Sequence, residues 1–157
     1  MATEKGLQEA KALYEQVCEV LDSINLRYQK VEDDFIVHAV MMRKNALFSI
    51  HIVVDIDRKL IRACSIPAVE FCKEKRIDAA LAICGLNDRM ADGCFVFDAT
   101  DGSVLFRAAM SYRESLIGEE AIVYLFHLAK HMAEKYSPRL EQLDSGSISL
   151  EEFLERE

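Results

Sequence analysis

The sequence predicts an α+β protein: an antiparallel sheet made of a meander plus a second hairpin, with helices at the N-terminus, in the middle and towards the C-terminus. Three observations predict it. Apolar residues recur every three or four positions in three separated stretches, as amphipathic helices require. Between them lie short runs rich in Val, Ile and Phe, residues that suit a pleated, buried surface. The turns joining those runs, near 43–46, 57–59 and 98–102, are too short for a crossover, so the strands they join must be antiparallel.

In chain order, Leu7, Ala10, Tyr14, Val17, Leu21 and Ile24 form one stripe of a helix from Thr3 to Asp22, with Thr3 as its N-cap. Tyr28–Val31 reads as a short strand closed by the turn Glu32-Asp33-Asp34. The stretch FIVHAVMMRKNALFSIHIVVDI, Phe35 to Ile56, is a long hairpin turning at Arg43-Lys44-Asn45-Ala46. Asp57-Arg58-Lys59 leads into a further strand, Leu60–Ser65, which Pro67 ends or edges. A helix begins near Cys72 and runs to about Leu86, with Ile77, Leu81 and Cys84 inward and Asn87 as C-cap. Cys94-Phe95-Val96-Phe97 and Val104-Leu105-Phe106 flank an acidic turn, Asp98–Gly102, with glycine where a left-handed residue is wanted. A third helix, about Glu119 to Tyr136, buries Ile122, Phe126, Ala129, Met132 and Tyr136, and Glu119 and Glu120 suit its positive N-terminal end. Pro138 loosens the chain and Gly146 breaks it, and Ser149-Leu150-Glu151-Glu152 is a capping box for a short last helix. Residues 1–157 make one domain, of which 138–157 is a C-terminal loop and short helix.

With 51% hydrophobic and 29% charged residues, the chain belongs with folded globular proteins rather than disordered ones. Its net charge is −8, and no basic cluster exceeds Lys73-Glu74-Lys75-Arg76. Phosphate neutralisation needs a basic surface, so neither nucleic acid nor an anionic membrane is expected as a partner. The five cysteines, Cys18, Cys64, Cys72, Cys84 and Cys94, are odd in number, widely spaced and without a C-x-x-C, which argues against disulfides or a zinc ribbon. They read as buried free thiols acting as small apolar residues. The start, MATEKGLQEAK, has no apolar leader-like run, and no later run could span a bilayer. A reducing cytoplasm fits these features.

A two-residue loop at Lys44-Asn45 places residues whose numbers sum to 89 opposite each other. Met41 then faces Phe48, Ala39 faces Ile50 and Val37 faces Ile52; Phe35, Val54 and Ile56 extend this side, which is the core. The other side carries Ile36, His38, Val40 and Met42 against Leu47, Ser49, His51 and Val53. It is far too apolar for a solvated face, where charges should alternate. A helix of the same chain, a second copy or a client protein could cover it. The second copy is favoured, because the middle helix is short and built mostly of small residues. The expected partner-binding residues are therefore Ile36, His38, Val40, Met42, Leu47, His51 and Val53.

Candidate chemistry is thin. The same register sets His38 against His51, a pair that could share a metal or sense pH, although half-buried, hydrogen-bonded histidines are the simpler account. His127 and His131 have the i, i+4 spacing of zinc proteases, but His-Leu-Ala-Lys-His lacks the glutamate base and puts a lysine between the ligands. Glu141–Glu152 resembles an EF-hand loop only faintly, since Leu143 and Ser147 stand where oxygen ligands belong. Asp98 and Asp101 belong to a turn that uses Asp for local hydrogen bonds. No cysteine has a histidine near it in sequence, and no G-x-S-x-G, P-loop or G-x-G-x-x-G occurs. No catalytic residue, metal site or cofactor is expected.

The order of elements resembles the YbjN-domain family, which has the fold of the type III secretion chaperones. IHIVVDIDRKLIRACSIP carries the resemblance, as do Leu86-Asn87 closing the middle helix, GCFVFDATDGSVLFR, and AEKYSPRLEQLDSGSISLEEFLE. It spans the whole chain and rests on the succession of these stretches, none of them specific alone. The resemblance implies a cytoplasmic bacterial protein, commonly dimeric, labelled a sensory transduction regulator and without catalytic residues. The expected function is thus a non-enzymatic, protein-binding regulator or chaperone-like homodimer, which meets a client or regulatory protein by apolar docking. The alternative is a small-ligand binder with a pocket between the middle helix and the sheet.

Overall fold

The structure, a computed structural model describing residues 3–43 and 46–155, begins with a capped helix. The Thr3 hydroxyl accepts the Gly6 N–H at 3.1 Å and starts α1, Glu4–Ser23. The expected stripe from Ala10 to Leu21 is buried, and Leu13, Cys18 and Val20 widen it. Leu7 lies at the helix's exposed end, 47% accessible, where no neighbour reaches it deeply enough to bury it.

Strand β1 (Gln29–Val31) and a single 3₁₀ turn, Glu32–Asp34, lead to β2 (Ile36–Arg43), β3 (Ala46–Asp55) and β4 (Leu60–Pro67). The hairpin has the expected register: Met41 faces Phe48, Ala39 faces Ile50 and Val37 faces Ile52. The loop residues Lys44 and Asn45 that motivated it lie outside the described residues. Pro67 is the last residue of β4, opposite Phe48. A 3₁₀ turn at Lys73–Lys75 precedes α2 (Arg76–Asn87); then come β5 (Cys94–Phe97), β6 (Val104–Ser111), α3 (Glu119–Ser145) and α4 (Leu150–Leu154). The six strands are ordered β1-β2-β3-β4-β6-β5, every neighbouring pair antiparallel. Because β1 pairs only with Ile36–His38, the rest of β2 forms the edge of the sheet.

One face of this sheet holds the core. Val37, Ile50, Ile52, Ile61, Ala63 and Phe106 point into it and meet α1, α2 and α3, so the helices lie together on a single side. Fully burying each of the larger side chains contributes about 2 kcal/mol.

Two helices differ from the sequence-based expectation. In α2 the inward residues are Ala79, Ala82, Ile83 and Leu86, while Ile77 and Leu81 are 76% and 51% exposed and Cys84 is exposed too. The small alanines let the helix sit close to β5, and its larger residues face outward. Asn87 is the last helical residue rather than a cap, and Asp88 occupies the cap position. In α3 the helix does not end near Tyr136. It runs through Pro138 to Ser145, so that residues 138–145 are helix, not loop. A mid-helix proline costs about 3 kcal/mol. The burial of Leu140 and Leu143, both 0% exposed, offsets it. Gly146, at φ 75°, is the left-handed stop, and Ser149 and Glu152 form the expected capping box.

Candidate functional site

Side chains alternate across a strand, so a residue next to a buried one faces the opposite way. Ile36, His38, Val40, Met42, Leu47, Ser49, His51 and Val53 therefore share the face turned away from the helices. The bulky ones near the hairpin tip are open: Val40 is 58% exposed, Met42 71% and Leu47 57%. Ile66 on β4 continues the apolar surface. All seven residues expected to bind a partner thus come together on one surface.

His38 and His51 face each other as the register requires, with ring centroids 4.6 Å apart and planes inclined by 30°, a stacked pair. Burial holds the His51 imidazole below its ordinary pKa, and the nearby His38 adds to this.

The full register extends the pair into a row that sequence reasoning missed. Gln29 lies opposite His38, His51 opposite Cys64, and Arg107 lies between Cys64 and Cys94. One residue from each strand thus crosses the whole outer face. No histidine is near Cys64 in sequence, yet the register sets it beside His51. The pairing becomes visible once Asp55 is set opposite Leu60, a register that a four-residue β3–β4 connection dictates. Cys64 is nevertheless no activated nucleophile. Burial pushes its thiol pKa up, against the pull of Arg62 and Arg107.

Besides Arg107, charge enters this face beside the β3–β4 turn. The Asp55 carboxylate meets Arg62 at 3.1 Å and Arg58 at 3.4 Å and accepts the Arg58 backbone N–H at 3.0 Å. That backbone bond, followed by the two guanidinium groups, holds its pKa below the usual carboxylate value.

The remaining sequence candidates have local duties. Asp98 accepts from the Thr100 N–H and hydroxyl at 2.8 and 2.6 Å, and Asp101 accepts from the Ser103 N–H at 2.8 Å, as turn residues do. His127 and His131 are exposed on α3. Among the described residues, no three His, Cys, Asp or Glu side chains are grouped so that they could hold a metal ion. Between α2 and the sheet, where the alternative small-ligand reading needs a pocket, Ala79, Ala82, Ile83 and Leu86 join the core. A hollow of about 490 Å³ lies instead between α1 and the 112–117 segment, lined by Leu13, Gln16, Tyr112 and Ile117 among others.

Comparison with protein families matches residues 13–142 to YbjN, described as "Putative bacterial sensory transduction regulator". The chain belongs to the YbjN family. No curated protein sequence matches this YbjN chain. Its fold is similar to that of a chain in the crystal structure of the ExsC–ExsE complex, at a TM-score of 0.57 and 14% identity, covering 82% of the YbjN chain and 93% of the other. The YbjN chain thus has the fold of the type III secretion chaperones, the α+β architecture its sequence predicted. Among its described residues, no helix is long and apolar enough to cross a membrane.

Proposed function

We propose that this YbjN protein is a non-enzymatic, cytoplasmic regulator that works by binding protein, and that its first partner is a second copy of itself, docked on the outer face of the sheet. One observation carries the reading: all the long helices pack on one side, leaving Val40, Met42, Leu47 and Ile66 open on the other. Patches of this kind on soluble proteins are characteristic of interaction sites.

Size and charge favour a second copy as the occupant. The six strands, three to ten residues long and about 4.8 Å apart, together present roughly 600 Å². That approaches the about 800 Å² that each partner contributes to a stable interface. Each copy carries a net charge of −8, so approach through a charged surface is opposed. The outer sides of β2 and β3 between Ile36 and Val53 hold no Asp, Glu, Lys or Arg side chain. The family's label of regulator supports binding over catalysis, and the similar fold solved in the ExsC–ExsE complex supports a protein as the ligand.

Sedimentation of the wild-type protein at micromolar concentration tests the reading. A dimer is expected, and Val40→Asp should give a folded monomer or an aggregate. A wild type that sediments as a monomer, or a soluble Val40→Asp dimer, removes this interface.

A further inference from the structure

The centre of the outer face is its least ordinary part, because two ionisable rings stand there among apolar side chains. We propose that pairing of two copies through this face is controlled by proton uptake at the His38–His51 stack: the copies associate while both imidazoles are neutral and separate when either gains a proton. This deepens the proposed function and rests on a second copy covering the face.

The surroundings of the stack decide the direction. Stacked neutral rings 4.6 Å apart turn their faces to each other and carry no charge, so a second apolar face can cover them. A charged imidazolium there has no counter-charge. On the β1 side it meets the uncharged Gln29, and on the β4 side Cys64, whose thiol burial keeps protonated. Along its own strands it meets Val40, Ser49 and Val53. The nearest cations, Arg62 diagonal to His51 and Arg107 beyond Cys64, oppose a further positive charge. Asp55, the acid on this face of β3, is already engaged by Arg58 and Arg62. The helices contribute nothing, since they pack on the other side of the sheet. Burial and the neighbouring ring already favour the neutral form of His51 in one protomer, and a covering copy removes the remaining water.

The separated protomer therefore binds protons more readily than the pair, and falling pH favours dissociation. One proton taken up per protomer makes the dissociation constant grow with the square of the proton concentration, about a hundredfold for each pH unit over which the separated protomer is protonated.

The test is sedimentation equilibrium of the full chain at fixed salt between pH 7.5 and 5.5, on wild type and on His38→Gln/His51→Gln. The expected result is a wild-type dissociation constant at least tenfold larger at pH 5.5, and a double variant that pairs equally at both values. In the wild type, the ring-proton resonances of His38 and His51, assigned through the single glutamine variants, should titrate together with dissociation; this readout needs no stable double variant. A wild-type dimer of unchanged affinity at pH 5.5 overturns the switch and leaves the interface standing. A double variant that keeps the pH dependence overturns it as well. A wild type monomeric at every pH overturns the interface and the switch together.

Discussion

Asn87 holds the backbone of Phe95 as a neighbouring strand would: its Nδ2 donates to the Phe95 carbonyl at 2.9 Å and its Oδ1 accepts the Phe95 N–H at 2.7 Å. β5 is the outermost strand on its side, paired only with β6, so its outward main-chain groups would otherwise face solvent. One amide at the end of α2 closes that edge and fixes where the helix meets the sheet.

Replacing Asn87 by Ala removes both bonds and leaves two partly buried main-chain groups unpaired. The expected loss is about 2 kcal/mol in urea denaturation. Asn87→Asp, which keeps an acceptor but has no amide donor, should lose a comparable amount at pH 7. A variant as stable as the wild type would show that water replaces the amide.

The two left-handed glycines should respond differently to alanine. At Gly102, φ is 88° and an added Cβ would lie 2.2 Å from the carbonyl oxygen of Phe71, whose own N–H donates to the Gly102 carbonyl at 2.9 Å. At Gly146, φ is 75° and an added Cβ meets nothing within 4 Å. Gly146→Ala should cost about 1 kcal/mol from backbone strain alone. Gly102→Ala should cost at least about 3 kcal/mol, since backbone must move as well. Equal melting temperatures for the two variants would contradict the close approach.

Ser65 points into the core from β4, is 0% exposed, and its hydroxyl has no hydrogen-bond partner among the described residues. A buried, unpaired hydroxyl costs about 1–3 kcal/mol. Ser65→Ala should therefore leave thermal stability unchanged or raise it by about 1 kcal/mol. A clear loss in calorimetry would reveal a partner for the hydroxyl.

Asp55 gives the fold an acid-sensitive element. Because its pKa is lowered in the folded protein, its contribution is complete above the ordinary carboxylate value of about 4 and is lost as pH falls through the lowered one. Asp55→Asn should be less stable than wild type by about 2 kcal/mol at pH 7, the worth of a hydrogen bond to a charged group. The gap should close towards pH 2. Denaturation curves that stay equally separated at both values would rule this out.

How much of this was legible in the sequence depended on where the determining contacts lie. The hairpin register, the second apolar face and the His38–His51 pairing follow from a single turn length, because one offset fixes every cross-strand pair. Thr3, Gly102, Gly146 and the Ser149–Glu152 box are local signals and read correctly. The pattern of α2 misleads, since Ile77, Leu81, Ile83 and Leu86 give it apolar residues on both sides and no single preferred face. The choice falls to Ala79 and Ala82, whose small size matters only against β5. The continuation of α3 past Pro138 was hidden for a similar reason: local chemistry favours a break, and Leu140 and Leu143 override it from within the core. The Cys64–His51 neighbourhood needed the β3–β4 register, which no distinctive turn residue announces.

The short β1 has a consequence for handling the protein. Phe35 and Val54 are a hydrogen-bonded pair, the Val54 N–H donating to the Phe35 carbonyl at 3.1 Å. Bonded pairs alternate along an antiparallel ladder, so the main-chain groups of Val40 and Met42 aim outward, past the point where β1 ends. A solitary folded protomer therefore displays a ragged strand margin and a greasy plane side by side, the combination from which ribbons of stacked molecules grow. Precipitation should begin from well-folded singletons during dilution or purification, ahead of any melting.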